Sequence, residues 1–218
     1  MYIAGTERCQ IAVEEPLELV VALYLREVEA LSPELPYELP PVEPATTVWP
    51  VWARRAPVGW QPPVLGSSGL VDPRQAAAEW AEWWTGLLQG EAACSELRPP
   101  TFREFRARPS LRVLLQRHHE AAVRWSEAIL DDPRSKRELT AARPGMGRLV
   151  RRLLSEVAGP AAFRLRLTVV PVRAKHAWPL AADHVLISLR LLADIDNVLD
   201  WLWPRLRGLA IEPSAIPG

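Results

Sequence analysis

Apolar residues recur at a spacing of three and four along much of this chain, which predicts that helices form most of the fold. The first helix is predicted over 17–31; this stretch also alternates as a strand would, but its length favours a helix. A second helix is predicted to begin at the Asp72-Pro73 pair and to end at Gly90, which fit a helix start and a helix end. Later helices are predicted over 110–130, 135–143, 147–158 and 196–206, with Pro144-Gly145 as a break.

The period of the pattern changes to two near the end of the chain. Apolar and polar residues alternate over 163–169 and again over 185–191, which predicts two strands that each have one buried side. We expect the two strands to pair as an antiparallel hairpin. Because a two-stranded hairpin is marginally stable, helices must cover it, or residues 9–13 or 48–53 must add a third strand.

Residues 33–63 contain nine prolines, which disfavour both a helix and a central strand. The same segment contains Trp49, Trp52 and Trp60, and solvated linkers rarely contain tryptophan. We interpret the segment as an extended arm that places indole rings in grooves. The grooves belong either to a partner or to the arm's own domain, and the sequence leaves both open.

These patterns predict an α+β fold that is mainly helical, with a C-terminal antiparallel β-hairpin, or a small three-stranded sheet, and a Pro/Trp-rich extended arm. The Pro99-Pro100 pair is the predicted boundary between two domains. An acidic helical segment with the arm would occupy 1–97, and a basic α+β segment would occupy 98–218. The alternative is one domain over 1–218.

The net charge of zero conceals a segregation of charge along the chain. Residues 1–97 carry a net charge of −9, whereas residues 98–173 carry +10. Arginine supplies 24 of the 26 cationic side chains, and its planar guanidinium group suits phosphate and carboxylate. A chain of this kind either presents a basic face to a polyanion or neutralises that face with its own acidic part.

Nucleic-acid binding is one alternative function, because arginines flank Phe102 and Phe105, which could stack on bases. Zinc-finger spacing and an RNP-like strand are both missing from the sequence. The candidate polyanion-binding residues are Arg98, Arg103, Arg106, Arg148, Arg151, Arg152, Arg164, Arg166 and Arg190.

A metal-dependent enzyme is a second alternative, because His176, Asp183 and His184 bracket the connection of the predicted hairpin. The same residues are equally typical of a polar turn. Cys9 and Cys94 lack metal-ligand spacing, and a reduced state is expected for both. We therefore assign no catalytic residue, no metal ligand and no cofactor.

The ten tryptophans favour an interaction protein, because tryptophan and arginine are enriched at interface hot spots. Neighbours such as Trp83 and Trp84 cannot point the same way, so we expect one of them to reach a second surface. We expect a non-catalytic accessory or structural subunit that binds a protein partner, in a homo- or hetero-oligomer. The candidate partner-binding residues are Trp49, Trp52, Trp60, Trp83, Trp84, Trp201 and Trp203.

A cytoplasmic location without membrane contact is expected. The sequence has no run of 18 apolar residues, and its first residues lack a basic region followed by an apolar one. The excess of arginine over lysine is typical of a bacterium with a GC-rich genome.

Overall fold

The computed structural model describes residues 2–6, 8–46, 71–156 and 162–211. The helices are α1 (Leu17–Val28), α2 (Pro73–Gln89), α3 (Ala92–Ser95), α4 (Pro109–Asp131), α5 (Pro133–Glu156), α6 (Leu189–Leu192) and α7 (Ile195–Ile211). The strands are β1 (Tyr2–Gly5), β2 (Cys9–Glu14), β3 (Phe163–Val170), β4 (Ala177–Ala181) and β5 (His184–Ser188). The predicted α+β class is confirmed. None of the helices in these ranges is long and apolar enough to cross a membrane.

The chain forms two compact units. The helical unit comprises Leu17–Ile129, and the sheet unit comprises Met1–Pro16 together with Leu130–Gly218. The helical unit is therefore inserted into the chain of the sheet unit. This division differs from the boundary expected at Pro99-Pro100, because β2 pairs with β3 and so joins the two ends of the sequence in one sheet.

In the helical unit, the predicted caps of α2 are confirmed. The side chain of Asp72 accepts a hydrogen bond from the backbone N–H of Arg74 at 3.0 Å, and Gly90 ends the helix in the left-handed region at φ 76°. The helix α2 packs against α1, where the indole of Trp80 donates to the carbonyl of Ala22 at 2.7 Å. Almost every side chain of α1 is buried, which explains why its sequence resembled both a helix and a strand.

The described part of the predicted arm, residues 33–46, lies against its own unit. The buried guanidinium of Arg26 donates to the carbonyls of Leu39 and Pro40 at 2.8 and 2.6 Å. The hydroxyl of Tyr37 accepts a hydrogen bond from the indole of Trp84 at 2.9 Å. Residues 47–63 of the arm lie outside the described residues.

The sheet unit contains a five-stranded mixed sheet in the order β1-β2-β3-β5-β4. The three central strands, β2, β3 and β5, are parallel, and β1 and β4 lie antiparallel at the edges. One face of the sheet packs with α5, α6 and α7 into an apolar core. The other face carries the polar side chains of β3 and β5.

The predicted hairpin pairing is wrong. The segments 163–169 and 185–191 were expected to be antiparallel neighbours, but β3 and β5 pair in parallel, with Leu167 opposite Val185. The strand β4 lies in the connection and forms the antiparallel pair with β5. Its short segment includes Pro179 and lacks apolar alternation, so the sequence pattern did not indicate a strand there.

The strand predicted at 9–13 is confirmed as β2, and the alternative at 48–53 lies outside the described residues. The strand predicted over 185–191 ends earlier than expected. The hydroxyl of Ser188 accepts a hydrogen bond from the backbone N–H of Leu191 at 3.2 Å and so caps α6.

The break predicted at Pro144-Gly145 is also wrong, because α5 runs through it without interruption. Proline costs about 3 kcal/mol inside a helix. The buried side chains of Ala142, Met146 and Leu149 lie on one face of α5 on both sides of the proline, and their packing offsets this cost. The helix begins at Pro133 and is capped by Asp132 rather than by the predicted Ser135, because the carboxylate of Asp132 accepts from the backbone N–H of Ser135 at 3.1 Å.

Candidate functional site

The structure buries two of the predicted partner-binding tryptophans. The side chains of Trp83 and Trp84 are both 0% exposed. Trp83 packs edge-on against Phe105 and donates to the carbonyl of Cys94 at 2.9 Å, whereas Trp84 stacks on Trp80. This corrects the expectation that one of the pair reaches a second surface. The two rings do point in different directions, but both directions lead into the core of the helical unit.

Three further candidates, Trp49, Trp52 and Trp60, lie outside the described residues. Trp201 and Trp203 lie on α7 and are partly buried against the core of the sheet unit. Of the described candidates for partner contact, only these two retain exposed ring surface.

The expected stacking of bases on Phe102 and Phe105 is wrong, because both rings are 1% exposed. Phe102 packs against the ring of His119, and Phe105 packs against Trp83. The arginines around them, Arg98, Arg103 and Arg106, remain exposed. Arg98 forms an ion pair with Glu96.

The other predicted arginines lie in the sheet unit, on two sides of it. Arg164 and Arg166 lie on the face of β3 that is opposite the helices. Arg148, Arg151 and Arg152 are exposed on α5, which covers the other face. Arg190 belongs to α6 and not to a strand, so it does not extend the row on β3. The nine arginines therefore do not form one surface.

The residues of the predicted metal loop lie at opposite ends of the β4–β5 hairpin. The backbone of His176 pairs with Ser188, whereas Asp183 and His184 lie at the turn. The ring of His176 packs against Trp178. No three side chains of metal-ligating type converge within the described ranges.

Both ring nitrogens of His184 are engaged by residues of β3. The guanidinium of Arg166 donates to Nδ1 at 2.9 Å, and Nε2 lies 2.9 Å from the hydroxyl of Thr168. Burial, followed by the nearby charge of Arg166, lowers the pKa of His184 to about 4. At neutral pH His184 is therefore an uncharged residue of the sheet, with neither nitrogen free for a metal.

The helices α5 and α7 lie close together because Gly145 of α5 has no side chain at the point where the two helices meet. A Cβ atom at Gly145 would lie 2.9 Å from Cγ1 of Ile195 and 3.3 Å from Cδ1 of Leu199. Two turns further along both helices, the guanidinium carbon of Arg152 lies 4.4 Å from the ring centroid of Trp203. The two helices therefore run in the same direction, and Arg152 of α5 contacts Trp203 of α7.

Trp201 points to the other flank of α7. The guanidinium carbon of Arg205 lies 6.0 Å from the centroid of the Trp201 ring. The same guanidinium donates to the carbonyl of Ala182 at 3.1 Å and to that of Ala181, and it so holds the turn of the β4–β5 hairpin. This second arginine–tryptophan contact therefore has a structural role.

We call the exposed surface of Arg148, Arg151, Arg152 and Trp203 the Arg–Trp face. Arg152 is 65% exposed and forms an ion pair with Glu156 at 3.0 Å. Neither Arg148 nor Arg151 forms a salt bridge with any residue in the described ranges. The face therefore combines an excess of positive charge with a partly exposed indole.

The sequence did not reveal a buried contact between Glu29, which directly follows α1, and His118 of α4. The Nε2 atom of His118 lies 2.5 Å from Oε1 of Glu29, and the two side chains are 4% and 9% exposed. Nothing in the sequence connects His118 with a residue so far away. The Nδ1 atom of His118 is buried without a partner among the described residues.

No family model matches this chain, and no curated protein or solved structure matches it. The function is therefore argued from the residues of the chain itself.

Proposed function

We propose that this protein is a non-catalytic accessory subunit that binds a protein partner through the Arg–Trp face. The observation that carries the proposal is the contact of Arg152 with the partly exposed ring of Trp203, beside two arginines without salt bridges. Tryptophan and arginine are the residues most enriched in interface hot spots.

The geometry of the contact supports a binding role. The guanidinium of Arg152 lies over the indole at 4.4 Å from its ring centroid and also forms an ion pair with Glu156. Both side chains are therefore preorganised, and a partner would bind them with a small loss of side-chain entropy. Exclusion of water by a partner would also strengthen the cation–π contact.

The charge of the face favours an acidic partner surface. Arg148 and Arg151 have no carboxylate partner within the described parts of the chain, and both are exposed. Carboxylates of a partner would form bidentate pairs with them. A polar rim of arginine around one aromatic anchor is the usual arrangement of a protein interface.

The test is site-specific photo-cross-linking of the full-length protein in its source cells. A benzophenone side chain at position 148 should capture one acidic protein, and the same group at position 124 on α4 should not. The exposed Arg124 is a matched control, because it lies on a helix of the other unit. Equal capture of that protein from both positions would contradict the proposed surface.

The affinity of the purified protein for the captured partner then measures how much the Arg–Trp face contributes to binding. The double variant Arg148→Glu and Arg151→Glu should weaken binding about 100-fold, because two exposed pairs would become repulsive. The control variant Arg103→Glu and Arg106→Glu has the same change in charge and should leave the affinity unchanged. A native mass spectrum that shows only a 24.4 kDa monomer from the source cells would overturn the proposal.

Nucleic-acid binding is the second candidate, favoured by the same two arginines of α5 without carboxylate partners. Its experiment is fluorescence anisotropy of a labelled double-stranded oligonucleotide at low salt. Affinity that falls steeply as salt is added would support it. Absence of binding at low salt would remove it.

A further inference from the structure

The sheet unit contains a cavity of about 50 Å³ between the end of β2, the first half of α5 and α6. Its apolar lining comes from all three elements. The lining side chains are Val13, Leu139, Ala142, Met146 and Leu192. A volume of about 10–15 Å³ on this measure admits one water molecule, so the cavity has room for about four atoms of an alkyl chain.

The cavity lies at the carboxyl ends of the parallel strands. The strands β2 and β5 both run parallel to β3. Val13 lies at the carboxyl end of β2, and Leu192 lies in the helix that directly follows β5.

The lining of the cavity is completed by one carboxylate and one guanidinium. Glu15 is half-buried and Arg143 is exposed, so the charged part of the lining lies toward solvent. Burial raises the pKa of Glu15, and the positive charges of the N-terminal amino group, Arg143 and Lys136, in that order, oppose this shift. The carboxylate thus lies in a place where a further cationic group would stabilise its ionised form.

We propose that this cavity binds a small aliphatic α-amino acid. The alkyl side chain would fill the apolar part, the ammonium group would pair with Glu15, and the carboxylate would pair with Arg143. A ligand with one charge of each sign matches the two charged groups, whereas a simple amine or a simple acid matches only one. This inference is independent of the Arg–Trp face, which lies on the second half of α5.

Methyl NMR of the full-length protein tests the proposal directly. The chain contains two methionines, so a sample labelled at the methionine methyls gives two signals, and Met146 is one of them. L-valine should shift the Met146 signal saturably, with a dissociation constant of about 1 mM for so small a ligand. An unshifted Met146 signal would overturn the proposal without the need for any variant.

Two comparisons then test the chemistry of the ligand. Isobutylamine and isovalerate carry the same isobutyl chain with one charge each, and each should bind at least 10-fold more weakly than L-valine. Glu15→Gln should also weaken the binding of L-valine about 10-fold. The neighbouring Glu14 does not line the cavity, so Glu14→Gln should leave this affinity unchanged. Equal binding of the three compounds, or an unchanged affinity in Glu15→Gln, would contradict the proposed ligand.

Discussion

At the scale of single residues, His184 makes the stability of the protein depend on pH. Its pKa is lowered to about 4, first by burial and then by Arg166. An unfolded chain binds a proton at this residue near pH 6.5, so between pH 6.5 and 4 the unfolded state holds more protons than the folded state. Stability is therefore greatest above pH 6.5 and decreases as the pH falls toward 4.

We predict that His184→Gln flattens this part of the stability profile. The wild-type protein should lose about 3 kcal/mol through His184 between pH 7 and pH 4, since one pKa unit corresponds to about 1.4 kcal/mol. Urea unfolding at several pH values measures this loss. The difference between variant and wild type should stay constant from pH 7 to pH 9, and parallel profiles below pH 6.5 would show that His184 is not responsible.

The buried pair of Glu29 and His118 should contribute more to stability than any exposed ion pair. Glu29→Ala leaves a second nitrogen of the His118 ring buried without a partner, which costs about 1–3 kcal/mol. The control is Glu120→Ala, which removes a 79% exposed partner of Arg124 and should cause no measurable change. Urea denaturation of both variants makes the comparison, and equal midpoints would contradict the prediction.

At the scale of elements, the same residue type has opposite effects in two helices. Gly145 permits the close approach of α5 and α7, whereas a Cβ placed at Gly208 would meet no atom of the described residues within 4 Å apart from the backbone of its own helix. An alanine at Gly208 would gain helix propensity without any clash. An alanine at Gly145 would meet Ile195 at 2.9 Å.

We therefore predict opposite signs for two Gly→Ala substitutions. Gly208→Ala should stabilise the protein by about 0.5–1 kcal/mol. Gly145→Ala should destabilise it by about 1–3 kcal/mol, because overpacking outweighs the gain in propensity. Thermal unfolding distinguishes the two, and a rise in Tm for Gly145→Ala would mean that the helices can move apart at little cost.

At the scale of the whole molecule, the fold redistributes the charge that the sequence segregates. The helical unit holds eleven cationic and fourteen acidic residues, a net charge of −3, and the sheet unit holds fifteen and twelve, a net charge of +3. The contrast of −9 and +10 along the chain is thereby reduced, because the basic segment is shared between the units. Only part of the arginine excess is left on the Arg–Trp face.

This division sets an upper limit on the salt dependence of any DNA binding. Three of the nine candidate arginines lie on the Arg–Trp face, so the slope of log K against log salt should be about −3 and not about −8. Arg98→Glu should leave that slope unchanged, because Arg98 belongs to the helical unit. Anisotropy titrations at four salt concentrations measure it, and a slope near −8 would indicate that all nine arginines act together.

Local patterns in the sequence were sufficient for most of the helices. Apolar spacing and end residues identified α1, α2, α4 and α7, because helical hydrogen bonds and caps connect residues that are close in sequence. Alternation identified β3 and most of β5 for the same reason, whereas β2 was only one of two alternatives for a third strand. The arginine excess also followed from the sequence alone.

Tertiary structure decided which of these elements are neighbours. The parallel pairing of β2 with β3 and of β3 with β5, the continuity of α5 through Pro144, and the burial of Trp83 and Trp84 all depend on partners far along the chain. The Arg–Trp face and the cavity also arise from packing between distant elements. Their energies come from burial and contact between residues that no local pattern connects, which is why only the folded chain determines them.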